Sequence, residues 1–185
     1  MFVTPVISRN DLDEFIGLPY DLYRDDPIWV PPLRSEQQAQ FDRFKNPMLD
    51  HCETALFLLR NGKQLAGRIA AFTDQLALTH WKQPVGLFGS YECIDDAEGS
   101  AMLLDAARGW LRAHGMQRMR GPWSFASQEW GLEIEGGHIP PVLMAPHNPA
   151  YYPAQLEAFG LAKIKDLLAY YVDAREGYTF PERFL

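Results

Sequence analysis

His51, Cys52 and Glu53 place an imidazole, a thiol and a carboxylate side by side, three groups that can each hold a metal ion. Neighbours in an extended chain point in alternating directions, so three consecutive residues do not converge on one ion, and no metal is expected here. The other four histidines, His80, His114, His138 and His147, stand in separate segments. Tyr151 and Tyr152 are adjacent phenols, and in an aromatic-rich chain such a pair reads first as packing. Trp123, Phe125 and Trp130 lie among Glu129, Glu133 and Glu135. Aromatic faces beside carboxylates suit a cationic amine, and they suit a buried lid or a subunit contact equally well. The phosphate loops, nucleophile elbows and paired-histidine helices that announce common enzyme classes are missing from the sequence.

Composition narrows the class. The chain has 185 residues, a net charge of −7 and 47% hydrophobic residues, the profile of one globular domain with a sizeable core. Its 17 basic residues are scattered, with Arg118 and Arg120 the only concentration, so a nucleic-acid partner is not expected. Cys52 and Cys93 are the only cysteines and read as reduced, packed thiols. With no signal peptide and no apolar run of membrane-spanning length, a cytoplasmic protein without membrane contact is expected.

The elements that must position these residues follow from periodicity. Residues 2–7 read as a first strand. Asn10 with Asp13 reads as the cap of a helix that Pro19 should kink or split. Ser35 is placed to start a second helix running to Phe44. The apolar run from Thr54 and the return from Gln64 to Phe72 flank Asn61-Gly62, a hairpin turn signal. Gly67 marks a bulge or a close backbone approach. Residues 85–93 form another strand. Asp95 and Glu98 are placed to cap the next helix, whose stripe of Met102, Leu103, Ala106, Ala107, Trp110 and Leu111 should be buried, with Gly115 ending it. Strands over 116–120, 142–145 and 162–172 and a helix over 149–159 complete the order. The fold class is α/β (α+β), a mixed sheet with helices on both faces.

The hairpin ALFLLRNGKQLAGRIAAF, the strand GLFGSYEC leading into SAMLLDAARGWLRAHG, and NPAYYPAQLEAFGLAKIKD together resemble the GNAT superfamily of acyl-CoA N-acyltransferases. That likeness implies a mainly antiparallel GNAT-like sheet. DLYRDDPIWVPPL, APHNPAYYP and KDLLAY further resemble the N-terminal half of little-characterised bacterial tandem GNAT-like proteins. The implied layout is a GNAT-like domain over 1–174 and a tail or linker over 175–185. The implied cofactor is acetyl-CoA or another acyl-CoA, held at family positions Ser90, Tyr91, Cys93, Ser100 and Asn148. Glu92 would be the general base, and Tyr151 or Tyr152 the acid for the leaving thiolate.

Two positions depart from the family pattern. Its pyrophosphate loop, a ring of backbone N–H groups at a helix N-terminus, is replaced here by Asp95, Asp96, Glu98 and Ser100. One carboxylate–phosphate pair at about 5 Å and an effective dielectric near 20 costs about 3 kcal/mol. The same carboxylates serve well as helix caps. The usual acid position in the last helix holds Leu156, so either tyrosine serves only if that helix shifts by a turn. Two readings follow. One is a domain with a degenerate acyl-CoA site and no cofactor, acting as the partner half of a tandem acyltransferase or as a homodimer. The other is an active acetyltransferase acting on a small primary amine. The first implies an apolar contact surface near residues 167–172 or at the Trp-rich loop, buried in a dimer; under the second the same loop would receive the amine.

Overall fold

The computed structural model of this chain describes residues 1–123, 125, 130–142, 145–170, 173, 175 and 177. One sheet of five strands organises them, in the order β1 (Phe2–Pro5), β2 (Cys52–Asn61), β3 (Gln64–Asp74), β4 (Val85–Cys93) and β5 (Arg118–Arg120). The first four run antiparallel and β5 runs parallel to β4, so the sheet is mixed and mainly antiparallel. Helices α1 (Arg9–Leu22), α2 (Arg34–Gln40), α3 (Gln75–Trp81), α4 (Ala97–Ala113) and α5 (Tyr152–Ala158) complete the fold.

Side-chain alternation along the strands divides the core into two layers. One face packs Leu59, Ile69, Phe88 and Cys93 against Leu103, Leu104, Ala107 and Leu111 of α4 and Tyr152 of α5. The other packs Leu58, Ala70, Phe72 and Leu87 against Phe15 of α1 and Phe125. Of the apolar stripe of α4, Leu103, Ala107 and Leu111 are buried, while Met102, Ala106 and Trp110 are half-buried, Met102 and Trp110 packing against the same cluster. Phe125 folds back onto Phe72, ring centroids 4.4 Å apart, so this part of the Trp-rich loop is core; Glu129 lies outside the described residues.

Several local expectations change. Helix α1 is capped by Ser8 rather than Asn10, because Ser8 and Asp11 close a reciprocal box in which Asp11 N–H donates to Ser8 Oγ and Ser8 N–H donates to Asp11 Oδ2. It also runs unbroken through Pro19. The proline leaves the Phe15 carbonyl without its helical donor, and Arg68 Nη1 donates to that oxygen at 2.8 Å. The hairpin forms, but its loop residues are Gly62 and Lys63, since Asn61 already pairs with Gln64. A Cβ on Gly67 would lie 2.7 Å from the Glu92 carbonyl, the close approach its position suggests. Helix α2 ends at Gln40, four residues early, and α4 takes Asp96, not Asp95, as its cap. Helix α3 was not expected; Asp74 caps it through Leu76 and Ala77 N–H.

Two expected strands are not found among the described residues. Val142 and Ala145 sit in a turn in which Ala145 N–H donates to the Val142 carbonyl, while Leu143 and Met144 lie outside the described residues. Residues 162–170 carry no strand pairing, and Tyr171 and Val172 lie outside the described residues. A strand exists only with a neighbour to receive its hydrogen bonds, and residues 162–170 have none among the described residues.

Candidate functional site

β4 and β5 pair over only three positions, Val85–Arg118, Gly86–Met119 and Leu87–Arg120, and then part. Contact persists as far as Phe88, whose carbonyl accepts from Trp123 N–H at 2.8 Å, and Gly121, where a Cβ would lie 2.2 Å from that oxygen, permits the close approach. Beyond it β4 also changes course. Between Arg68–Glu92 and Ala70–Gly89 the register slips by one residue, and Ser90 takes a φ of 47°. This bulge lets Tyr91 and Cys93 face α4 while Glu92 faces α1.

The edge of β4 exposed by the parting is taken by α5. Cys93 N–H donates to the Tyr152 hydroxyl at 2.9 Å, and the Tyr151 hydroxyl donates to the Cys93 carbonyl at 2.9 Å. Gln155 Nε2 donates to the Ile94 carbonyl at 3.0 Å and its Oε1 accepts from the Tyr91 hydroxyl at 2.7 Å. Tyr91 also meets Ser100 Oγ at 2.7 Å, so the Ser100 hydroxyl points into the core. The sequence gives little sign of Gln155: a polar residue on an otherwise apolar helix face is its only signal.

Tyr152 continues through the gap to the other face. Its hydroxyl donates to Glu92 Oε2 at 2.7 Å, as does that of Tyr23 at 2.8 Å, and Arg68 Nη2 lies 3.7 Å from Oε1. Glu92, Tyr151 and Tyr152 are thus brought together, with Tyr23 and Arg68 as unforeseen companions. Burial, and then the Glu92 carboxylate, raise both the Tyr23 and Tyr152 phenols well above the usual tyrosine range. Burial pushes Tyr151 up to about 12. All three stay protonated, and Tyr23 and Tyr152 donate to the Glu92 carboxylate, an arrangement that holds a proton firmly.

A second cluster adjoins the first. His147 Nε2 lies 2.8 Å from Asp26 Oδ2, and Nδ1 lies 3.3 Å from Glu133 Oε2. The His147 contact, foremost, holds the Asp26 carboxyl below its ordinary range. Tyr23 stacks on Trp29 at 5.2 Å and lies 5.8 Å from the His147 ring. Asn148, an expected cofactor position, instead ties the loop: its Oδ1 accepts from Glu133 N–H and its Nδ2 donates to the Glu133 carbonyl. The segments DLYRDDPIW and APHNPAYYP therefore meet at Glu92.

At the N-terminus of α4, Asp96 Oδ1 accepts from Gly99 N–H at 2.6 Å and the Asp96 carbonyl accepts from Ser100 N–H. A Cβ on Gly99 would strike Leu59 Cδ2 at 2.7 Å, so this helix end is packed as well as capped.

His51 and Cys52 do form a potential metal cluster, though with Asp74 rather than Glu53, which pairs with His114. Its chemistry fits a metal poorly. Asp74 Oδ1 already bonds His51 and two N–H groups of α3, and burial pushes the Cys52 thiol up to about 12. Burial and then Asp96 raise Cys93 equally, to about 12. Neither thiol should react with a disulfide reagent at pH 8 in the native chain, and both should react in denaturant. Rapid native labelling of one thiol would mean that its layer opens.

No family model matches the chain. It is 38% identical over 179 residues to Protein YghO of Escherichia coli (strain K12), covering 96% of this chain and 45% of that protein. It is 37% identical over 177 residues to the bacterial ceramide synthase of Caulobacter vibrioides (strain NA1000 / CB15N), covering 92% of this chain and 45% of that one. The chain thus spans under half the length of these curated relatives. Among solved structures, an acetyltransferase-fold protein described as a putative acetyl transferase from Pyrococcus furiosus superposes with a TM-score of 0.52 at 16% identity, covering 92% of this chain and 99% of that one.

Proposed function

From a chain that has the GNAT acyltransferase fold, we propose a role as the acyl-CoA-free half of a tandem acyltransferase, a domain that shapes an acceptor cleft for a partner unit. One observation carries the reading: the β4 edge exposed where β5 departs, the place a pantetheine arm would lie along, is bonded to Tyr151, Tyr152 and Gln155 of the chain itself. The α4 N-terminus supports it, since a pyrophosphate would compete with Asp96 for Gly99 N–H beside Asp95 and Glu98. The relatives, more than twice the matched length, leave room for a second unit. One of them is named a bacterial ceramide synthase, and a ceramide is a long-chain amine acylated at nitrogen. Acyl transfer to a primary amine is accordingly the reaction we assign to the assembly.

A second reading, an active N-acyltransferase using acetyl-CoA or another acyl-CoA, is favoured by one feature: Glu92, Tyr23 and Tyr152 form a hydrogen-bonded carboxylate–phenol group beside the parted strands. There Glu92 would take the amine proton and a tyrosine would protonate the leaving thiolate. Calorimetry of this chain with acetyl-CoA at low salt separates the readings. No saturable heat is expected; micromolar binding would overturn the acyl-CoA-free assignment.

A further inference from the structure

We propose that the groove between the start of α1, the loop after α2 and β2 is a membrane-docking face, and that its occupant is an anionic lipid bilayer. Lipid docking does not depend on whether this chain binds acyl-CoA.

The groove holds about 650 Å³, and Val6, Leu12, Phe41, Leu49 and Leu56 give it apolar walls. Two large apolar side chains beside it stay outside: Phe44 is fully exposed and Ile7 is 86% exposed. Neither stands on a frayed end. Phe44 N–H donates to Asp42 Oδ1 at 2.9 Å, Asn46 N–H donates to the Asp42 carbonyl at 2.8 Å, and Asn46 Nδ2 donates to the Gln40 carbonyl at 2.8 Å. Arg43 Nη1 closes the loop on the Leu49 carbonyl at 3.0 Å. Ile7 precedes the Ser8 cap, the position from which an apolar side chain ordinarily packs onto the fourth helical residue, here Leu12. At its exposure that staple is not made, although Ile7 N–H is held by Asp11 Oδ2 at 3.2 Å. The backbone therefore presents both side chains to solvent beside a groove that could have taken them. Apolar surface built in this way is covered when the protein works.

Charge selects the occupant. The chain carries a net −7, yet Arg9, Arg43 and Lys45 stand here, each within two residues of an exposed apolar tip. Such a tip enters the acyl region of a bilayer while its basic neighbours stay among the lipid phosphates. Arg9 is exposed, and Lys45 reaches Asp42 only at 3.8 Å from a side chain that is 65% exposed, so both can turn to phosphate. Asp42 is engaged by Phe44 N–H and Lys45, which leaves Asp13 as the opposing charge at the groove. Docking of this kind needs no spanning helix, and none of the described helices is long and apolar enough to cross a membrane.

Vesicle sedimentation at low salt tests the face, with phosphatidylcholine alone and with phosphatidylglycerol added. The expected result is saturable binding to the anionic vesicles that weakens as salt rises. Phe44→Asp and Ile7→Asp should each weaken it about tenfold or more, the worth of one large apolar side chain leaving water. Arg9→Gln and Lys45→Gln should each weaken it about fivefold, and Asp13→Asn should strengthen it. These positions are all exposed, so thermal unfolding like that of the parent chain checks each variant's fold. A polarity-sensitive dye on Phe44→Cys separates insertion from adsorption, because its emission moves to the blue only in the acyl region. Cys52 and Cys93 are buried and leave the new thiol to react. Three results would overturn the proposal: no binding to anionic vesicles, binding that Phe44→Asp and Ile7→Asp leave unchanged, or a dye that stays in water while the chain is bound. The first, combined with self-association that Phe44→Asp abolishes, would give the face to a second copy of this chain.

Discussion

Replacing Arg68 by Met is expected to cost the fold about 3–5 kcal/mol, the usual penalty for removing one member of a buried ion pair. Arg68 is 4% exposed on β3, and three things depend on it. Its Nη2 offsets the Glu92 carboxylate, its Nη1 satisfies the Phe15 carbonyl, and its guanidinium lies 5.0 Å from the centre of the Phe15 ring. Methionine fills much of the volume and supplies none of the charge. Glu92 would keep its two phenolic donors but lose its cation, and the Phe15 carbonyl opposite Pro19 would lose the Arg68 donor. Urea unfolding monitored by tryptophan fluorescence reads the loss. In the double variant Arg68→Met/Glu92→Gln the coupling should return about 1 kcal/mol or more. A single-variant loss below about 1 kcal/mol would mean that the pair is solvated and not structural.

Tyr152→Ala should cost a similar amount, about 3–5 kcal/mol, because it empties a fully buried aromatic site between α5 and the sheet. Tyr152→Phe separates ring from hydroxyl. It keeps the edge contacts with Tyr91 and Tyr151 but strands Cys93 N–H and removes one donor from Glu92. A loss of about 1.5–3 kcal/mol is expected, as for a hydrogen bond to a charged group. Thermal unfolding of both variants gives the split. If Tyr152→Phe matched the parent chain, the hydroxyl would not be holding the parted strands, and the α5 plug would be a matter of packing alone.

What the sequence could show depended on how locally each feature is encoded. The hairpin, β4 and α4 announce themselves because their apolar spacing and turn residues sit in continuous runs, strands of ten, eleven and nine residues and a helix of seventeen. The start of α1 was ambiguous for a local reason: Ser8-Asp11 and Asn10-Asp13 are equivalent capping pairs, and only the built helix chooses. Helix α3 is seven residues, two turns, too short for a period to declare itself. Residues 162–170 have a strand's composition, but pairing is a property of the neighbour and not of the segment. The Glu92 group could be approached only in part. Glu92 and the two tyrosines stand in recognisable segments, whereas Arg68 looked like one polar residue in a strand. The His147–Asp26 pair joins positions 121 residues apart, and no spacing rule reaches that far.

The carbonyl of Phe15 also bears on the order in which this chain assembles. A helix that contains a proline four residues beyond an otherwise orphaned carbonyl gains little from winding on its own, since one rung of its ladder cannot close. The missing rung is supplied by Arg68, 53 residues later in the chain and on β3. The second half of α1 therefore becomes worth winding only once the β2–β3 hairpin offers that guanidinium. This makes the hairpin, a local structure with a two-residue loop, the natural nucleus, and it turns α1 from an early helix into one that docks late.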